Sequence, residues 1–318
     1  MNSGRALAWG YALLAALAVA APLLGLYPVF VMKLLCYALF ACAFNLLLGY
    51  TRMLSFGHAA FFGAAGYVTG WLISVHGWGT VSGILGGVAV ALLLGIVIGA
   101  IAVRRRGIYF AMITLALAQL VYFICLESSF TGGENGLQAI PRGTLFGLID
   151  LGRDRTMYYF VLVIFIAAYL LIRRIVQSPF GQVLKAIREN EPRAISLGYR
   201  VDRYKLLAFV LSAGLAGLAG ALKALVLGFA TLSDVSQGTS GDVILMTMLG
   251  GSGTFLGPLV GAGVVLTLEE YLSDRVGAWA TVIIGAIFVV CVMVFRRGFV
   301  GEIERRFGLR LGAANKTR

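Results

Sequence analysis

The chain has 318 residues, 60% of them hydrophobic and only 13% charged, with a mean hydropathy of +0.92. Soluble domains average about 45–50% apolar and about 25% charged, so this composition excludes a water-surrounded globular protein. The 26 lysines and arginines outnumber the 14 acids for a net charge of +12. They sit in short loops between apolar runs, the pattern that orients membrane helices, so nucleic acid is not an expected partner.

A bilayer core of roughly 30 Å needs about 20 apolar residues per helix. Runs that qualify lie at 6–26, 29–50, 54–75, 81–103, 107–126, 156–176, 206–230 and 276–295. The first follows a short basic start and is expected to stay as a signal anchor, because no hydrophilic domain follows it. Between the last two, 241–273 is apolar but interrupted by glycines and Pro258. The expected fold is an all-α polytopic membrane protein of about 8–10 transmembrane helices, one segment being glycine-broken or re-entrant. It comprises a transmembrane domain over 1–295 and a basic tail over 296–318.

Sidedness follows from the cations. Arg5, Arg52, Arg104–Arg106, the block Arg173–Lys205 and the tail place 20 of the 26 basic residues, with five acids, on one side. The positive-inside rule makes that side cytoplasmic, together with both termini. Segment 241–273 must then begin and end outside, with Gly250, Gly251, Gly253 and Gly257 supplying its bends. Two readings of 241–263 stand: irregular backbone beside a pathway, or a packing bend in which glycines at four-residue spacing let helices approach.

Two loops are distinctive. The outer segment 127–155 carries Thr131, Gly132, Gly133, Glu134, Asn135 and Gly136, and its apolar residues, Leu137, Ile140, Phe146 and Leu148 among them, can anchor it on the span ends. Its glycines can take positive φ and present amides to a partner, or the loop is a plain connector. The inner segment 177–205 predicts a helix that Pro179 starts and Pro192 stops. Phe180, Val183, Leu184 and Ile187 recur at helical spacing on it, while Lys185, Arg188 and Glu189 lie on other faces. That stripe can rest on lipid headgroups or fill a groove on a partner.

Most catalytic chemistry is missing. No Gly-Lys pair occurs, so no Walker A phosphate loop exists, and there is no HExxH or Gly-x-Ser-x-Gly. Cys36, Cys42, Cys125 and Cys291 fall in or beside apolar runs without ligand spacing and are expected to be packing residues. The chain is therefore expected to bind no cofactor and to be no enzyme. Lys223 is the one charge well inside a confident span and is expected to snorkel outward. Asn45 is expected to bond between helices. His58 either lines a cavity from a kinked helix or satisfies a neighbouring carbonyl. No buried chain of acids suggests an ion relay.

Leu54-Ser-Phe-Gly-His-Ala-Ala-Phe-Phe-Gly63 resembles the signature stretch of the permeases of branched-chain amino-acid ABC importers. Thr131–Leu137, Ser178–Leu197, Arg203–Ser212 and Gly250–Gly261 resemble further stretches of that family, in the right order over roughly residues 30–300. The length and the outer loop are similar to the LivM-type subunit rather than its LivH-type partner. The resemblance implies an inner-membrane heteromer: two related permeases, two ATP-binding subunits that carry ATP and magnesium, and a periplasmic or surface-tethered amino-acid-binding protein. It implies ATPase coupling through Phe180, Val183, Leu184, Ile187, Arg188, Glu189 and Glu191; the irregular-backbone and cavity readings of the residues themselves put a path near Ser55, His58, Gly251, Ser252, Gly253 and Thr254. Permeases for urea or short amides share nearly the same motifs, and an ion-coupled carrier is the remaining alternative.

Overall fold

A computed structural model describes residues 27–145, 149–294 and 298–307. The expected span 6–26, Phe146, Leu148 and the tail from 308 lie outside the described residues. Eight helices lead to the centre of the bundle: α1 (Pro28–Thr51), α2 (His58–Ser74), α3 (Thr80–Ala102), α4 (Ile108–Glu127), α5 (Asp154–Gln177), α6 (Pro179–Glu189), α7 (Glu191–Ser196) and α8 (Val201–Leu227). A hairpin follows, α9 (Gln237–Gly250) and α10 (Gly257–Val276), then α11 (Ala280–Val294) and α12 (Gly298–Phe307). The only paired strands among the described residues are β1 (Thr144–Leu145) and β2 (Ile149–Asp150), a short antiparallel turn in the 127–155 loop.

Helix α8 is the hub and packs on α1, α2 and α3. Its glycines make that contact close: a Cβ at Gly220 would collide with the Phe62 carbonyl. Small residues at such seams replace the hydrophobic effect as the source of helix association in lipid, because backbone dispersion contacts reward close approach. Helices α1 and α8 are mostly buried, whereas α3, α4 and α5 turn Leu93, Val97, Leu120, Phe123, Val163 and Leu170 outward. An apolar exterior of this kind needs lipid around it.

Among the described residues, five helices (α1, α3, α4, α5 and α8) have the length and composition to cross a membrane. Helices α2, α9, α10 and α11 are shorter or carry charges. The run 54–75 was expected as one span, yet α2 begins only at His58. Residues 52–57 enter the bundle as irregular backbone, tolerated because its polar groups find partners. Phe56 N donates to Thr114 Oγ1 at 3.2 Å and Gly57 N to Ser55 Oγ at 3.2 Å.

The hairpin has the broken geometry expected of 241–273. Helices α9 and α10 run antiparallel, and a Cβ at Gly250 or Gly261 would strike backbone of the opposite helix. The turn between them needs Gly251 (φ 119°) and Gly253 (φ 81°), conformations that residues with a Cβ rarely adopt. It lies at the end of the bundle that also carries Arg52, Arg104–Arg106 and α6, called here the basic end. The first described stretch of the expected tail is helix α12, and its Gly298 packs against Gly251 and Met248.

Candidate functional site: a glycine turn joined to the α6 helix

Asn45, in the second half of α1, clamps the hairpin turn. Its Nδ2 donates to the Thr254 carbonyl at 2.9 Å, and its Oδ1 accepts the Gly253 N–H at 2.8 Å. This is the interhelical role expected of it. Thr254 closes the turn from within: its Oγ1 donates to the Gly251 carbonyl at 2.8 Å and accepts Gly257 N at 3.0 Å. Ser252, at the tip, is exposed.

One turn further along α1, Gly49 touches the same loop, and its carbonyl accepts a hydrogen bond from Arg188 Nη1. Arg188 belongs to α6 and also lies against Gly253. Burial and the neighbouring Arg52 charge push its guanidinium below the usual arginine range. It remains a cation held against two backbones. Helix α6 is thus joined, through one side chain, to the glycine turn.

Helix α6 forms where the prolines predicted. Pro179 occupies its first turn, Ser178 caps it by accepting Gly181 N at 3.4 Å, and Pro192 opens a new helix, α7. The apolar stripe points elsewhere than expected. Leu184 is 0% and Ile187 3% exposed, both against this chain itself, with Phe180 stacked on Tyr204. Phe180 and Val183 are half-buried. Leu184 and Ile187 are therefore closed to a partner, because the bundle has already claimed them, while Phe180 and Val183 keep part of their surface. Glu189, Gln182 and Ala186 face outward, continued by Ile195 and Leu197 in and after α7.

Glu191 is a joint. Its Oε1 lies 2.7 Å from Lys205 Nζ at the start of α8 and 3.2 Å from Arg106 Nη2 in the α3–α4 turn. These groups, with Arg52, Arg105, Arg188 and the N-terminal turn of α4, line a cavity of about 620 Å³.

His58 and Ser55 are 0% exposed in this conformation. The His58 ring sits edge-on to Phe44, Phe61 and Phe209. Ser212 Oγ donates to the Ala43 carbonyl at 2.6 Å, so its lone pair must accept from His58 Nε2 at 2.9 Å. The proton is then on Nε2, and Nδ1 has no partner among the described residues. Of the two readings of His58, the geometry matches the hydrogen-bonding one, through a serine rather than directly.

Lys223 does not snorkel. Its Nζ lies 2.7 Å from Asp234 Oδ2, and the two side chains are 5% and 8% exposed. The chain turns back after α8 at Gly228 (φ 75°), and a 3-10 turn over Leu232–Val235 brings Asp234 down beside it. Thr231 N donates to the same carboxylate at 3.0 Å. A charge eleven positions away in a loop carries no helical periodicity, so sequence reasoning had no signal for this pair.

At the opposite end the 127–155 loop closes over α8. Gly132, Gly133 and Gly136 take positive φ as anticipated. Leu137 exchanges N–H···O bonds of 2.9 Å with Ala230, and Ile140 N donates to Gly228 O at 2.8 Å. Thr131 is buried and caps α4 by donating to Cys125 O at 2.5 Å, with Ser128 O at 2.6 Å, while Glu134 and Asn135 are exposed.

An all-helical bundle with an apolar exterior, a broken hairpin and buried polar joints defines a multi-pass integral-membrane permease. The family described as the branched-chain amino acid transport system permease component matches residues 28–292, and the chain belongs to it. The high-affinity branched-chain amino acid transport permease LivM of Escherichia coli K12 is 28% identical over 304 residues, covering 87% of this chain and 71% of the relative. A probable LivM of Methanocaldococcus jannaschii is 28% identical over 186 residues, 55% of this chain and 52% of the relative. The autoinducer 2 import permease LsrC of Salmonella paratyphi B is 26% identical over 219 residues, 65% and 62% respectively. No solved structure matches.

Proposed function

We propose that this chain is one of two permease subunits of an ATP-driven importer for branched-chain and similar hydrophobic amino acids. It works in a bacterial inner membrane with a LivH-type second permease, two ATP-binding subunits and a periplasmic or surface-tethered binding protein. The basic end is cytoplasmic, as are both termini. Substrate class rests on the LivM relatives; the similarity to LsrC means that family membership alone does not decide it.

The observation that supports coupling is the Arg188 bond to Gly49 beside the Asn45-clamped turn. Movement of α6 and α7 by ATP-binding subunits, through the outward residues Gln182, Ala186, Glu189, Ile195 and Leu197, would pull on the glycine turn. Energy from ATP held elsewhere then accounts for a permease with no nucleotide loop of its own. The 127–155 loop, seated on the far end of α8, is the surface for the binding protein or the outer gate. The test of cargo is calorimetric titration of the binding protein encoded beside this permease. Leucine, isoleucine and valine should bind, and urea and acetamide should not. Binding of urea or acetamide alone would replace the proposed cargo.

A further inference from the structure

Helix α9 crosses the middle of the bundle, and its depth is fixed by two anchors. Ser240 Oγ accepts the Ala59 N–H at 3.0 Å, where α2 begins, and Thr247 Oγ1 donates to the Ala41 carbonyl at 3.3 Å in the centre of α1. Asp242 lies between them. Ala41 is about 20 Å along α1 from its first residue at 1.5 Å per residue, and Asp242 is about 7.5 Å short of Thr247 along α9. A carboxylate therefore sits well inside the membrane-spanning region.

The residue reaches the surface of this chain, although protein surrounds much of its carboxylate. Val243, Ile244, Met246 and Thr247 turn inward, whereas Gly238, Asp242 and Met248 are exposed, with Gly241 and Leu245 partly so. The outward positions recur every three or four residues and form one face of α9. A Cβ at Gly241 would meet nothing within 4 Å. Asp242 makes no hydrogen bond or ion pair within the described residues, and the charge acting on it is another acid, Glu269.

Lipid tails are a poor neighbour for this face, since an ionisable group at such depth belongs against water or protein. The remaining choices are a sealed contact with another subunit and a water-filled path. An unpaired carboxylate beside a second acid attracts a cation, and the glycine at 241 leaves room beside it. Leu245 and Met248 follow at about 4.5 Å steps along the same face. An ammonium at Asp242 and an aliphatic chain against Leu245 and Met248 would match that order of groups.

We infer that the outward face of α9 lines the translocation path and that Asp242 contacts the ammonium group of the passing substrate. This rests on the reading of the chain as an amino-acid permease and supplies its substrate contact. The same helix ends in the turn held by Asn45 and neighboured by Arg188, so motion of α6 would change the exposure of the face.

The test uses the assembled importer in membranes, with native cysteines replaced and single cysteines placed along α9. Gly241→Cys, Asp242→Cys, Leu245→Cys and Met248→Cys should react with a charged methanethiosulfonate, and Val243→Cys and Ile244→Cys should not. Trapping the ATP-binding subunits with vanadate should change the reactive rates. An inert outward face in the assembled importer would make it a subunit interface and overturn the inference. In parallel, Asp242→Asn should lower leucine uptake by about 10- to 100-fold, the worth of a charged hydrogen bond. Assembly with the other subunits should persist, and Asp242→Glu should recover part of the uptake. Unchanged uptake in Asp242→Asn would overturn the ammonium contact. Labelling needs no substrate, so a wild-type importer that carried a cargo without an amine would defeat the ammonium contact while the labelled face still marked the path.

Discussion

Lys223 Nζ and Asp234 Oδ2 meet at 2.7 Å inside the bundle, where α8 ends and the following loop turns back. Each charge is tolerated there because of the other. Removing one partner strands a buried ion at a cost of about 3–5 kcal/mol, whereas replacing both with apolar groups is often neutral. Lys223→Met should therefore lower the melting temperature in detergent sharply, and Lys223→Met with Asp234→Leu should recover most of the loss. Equal stability of the single and double variants would show that the pair does not act as a unit.

Asn45 presents both halves of its amide to the glycine turn. Asn45→Leu leaves the Gly253 N–H and the Thr254 carbonyl without that partner, about 1–3 kcal/mol for each group that stays dry. Uptake should fall more than ATPase activity, since the turn is the link between α6 and the hairpin. A proportional fall in both would assign Asn45 to folding alone.

Helix α6 offers a contrast between its two faces. Leu184→Asp and Ile187→Asp put charge into positions 0% and 3% exposed, so they should reduce the amount of folded protein. Glu189→Lys and Leu197→Asp lie on the outward side and should leave folding intact while weakening the hold on the ATP-binding subunits. Co-purification of those subunits, compared with monodispersity of the permease, separates the two effects.

At the other end, Gly132 has φ 77° and a Cβ there would run into the Gly136 carbonyl. Gly132→Val with Gly133→Val should dislodge the loop from Ala230 and Gly228. Binding-protein stimulation of ATPase activity should drop with uptake, basal activity persisting. Loss of uptake with full stimulation would make the loop a gate, and no change in either would make it a connector.

Periodicity and length made the long spans legible, because α1, α3, α4, α5 and α8 bury or expose continuous apolar runs. Proline and serine chemistry likewise marked α6 and α7, whose limits are local. The α6 stripe shows where such reasoning stops: an amphipathic pattern reveals that a face is covered, and Leu184 and Ile187 are covered by this chain rather than by another. The late start of α2 depends on Thr114, far away in sequence, supplying a hydroxyl to Phe56. Asp242 escaped notice because its segment was too broken by glycine to be scored as a span, so its depth emerged only with the anchors at Ser240 and Thr247.

The central claim is that this chain passes hydrophobic amino acids under the control of ATP bound elsewhere. Its most direct test is uptake of labelled leucine into proteoliposomes that hold both permeases and both ATP-binding subunits, with ATP enclosed and loaded binding protein outside. The account predicts uptake that requires ATP and binding protein, is competed by isoleucine and valine, and survives collapse of proton and sodium gradients. Leucine uptake by this permease without ATP-binding subunits, driven by an ion gradient, would contradict it.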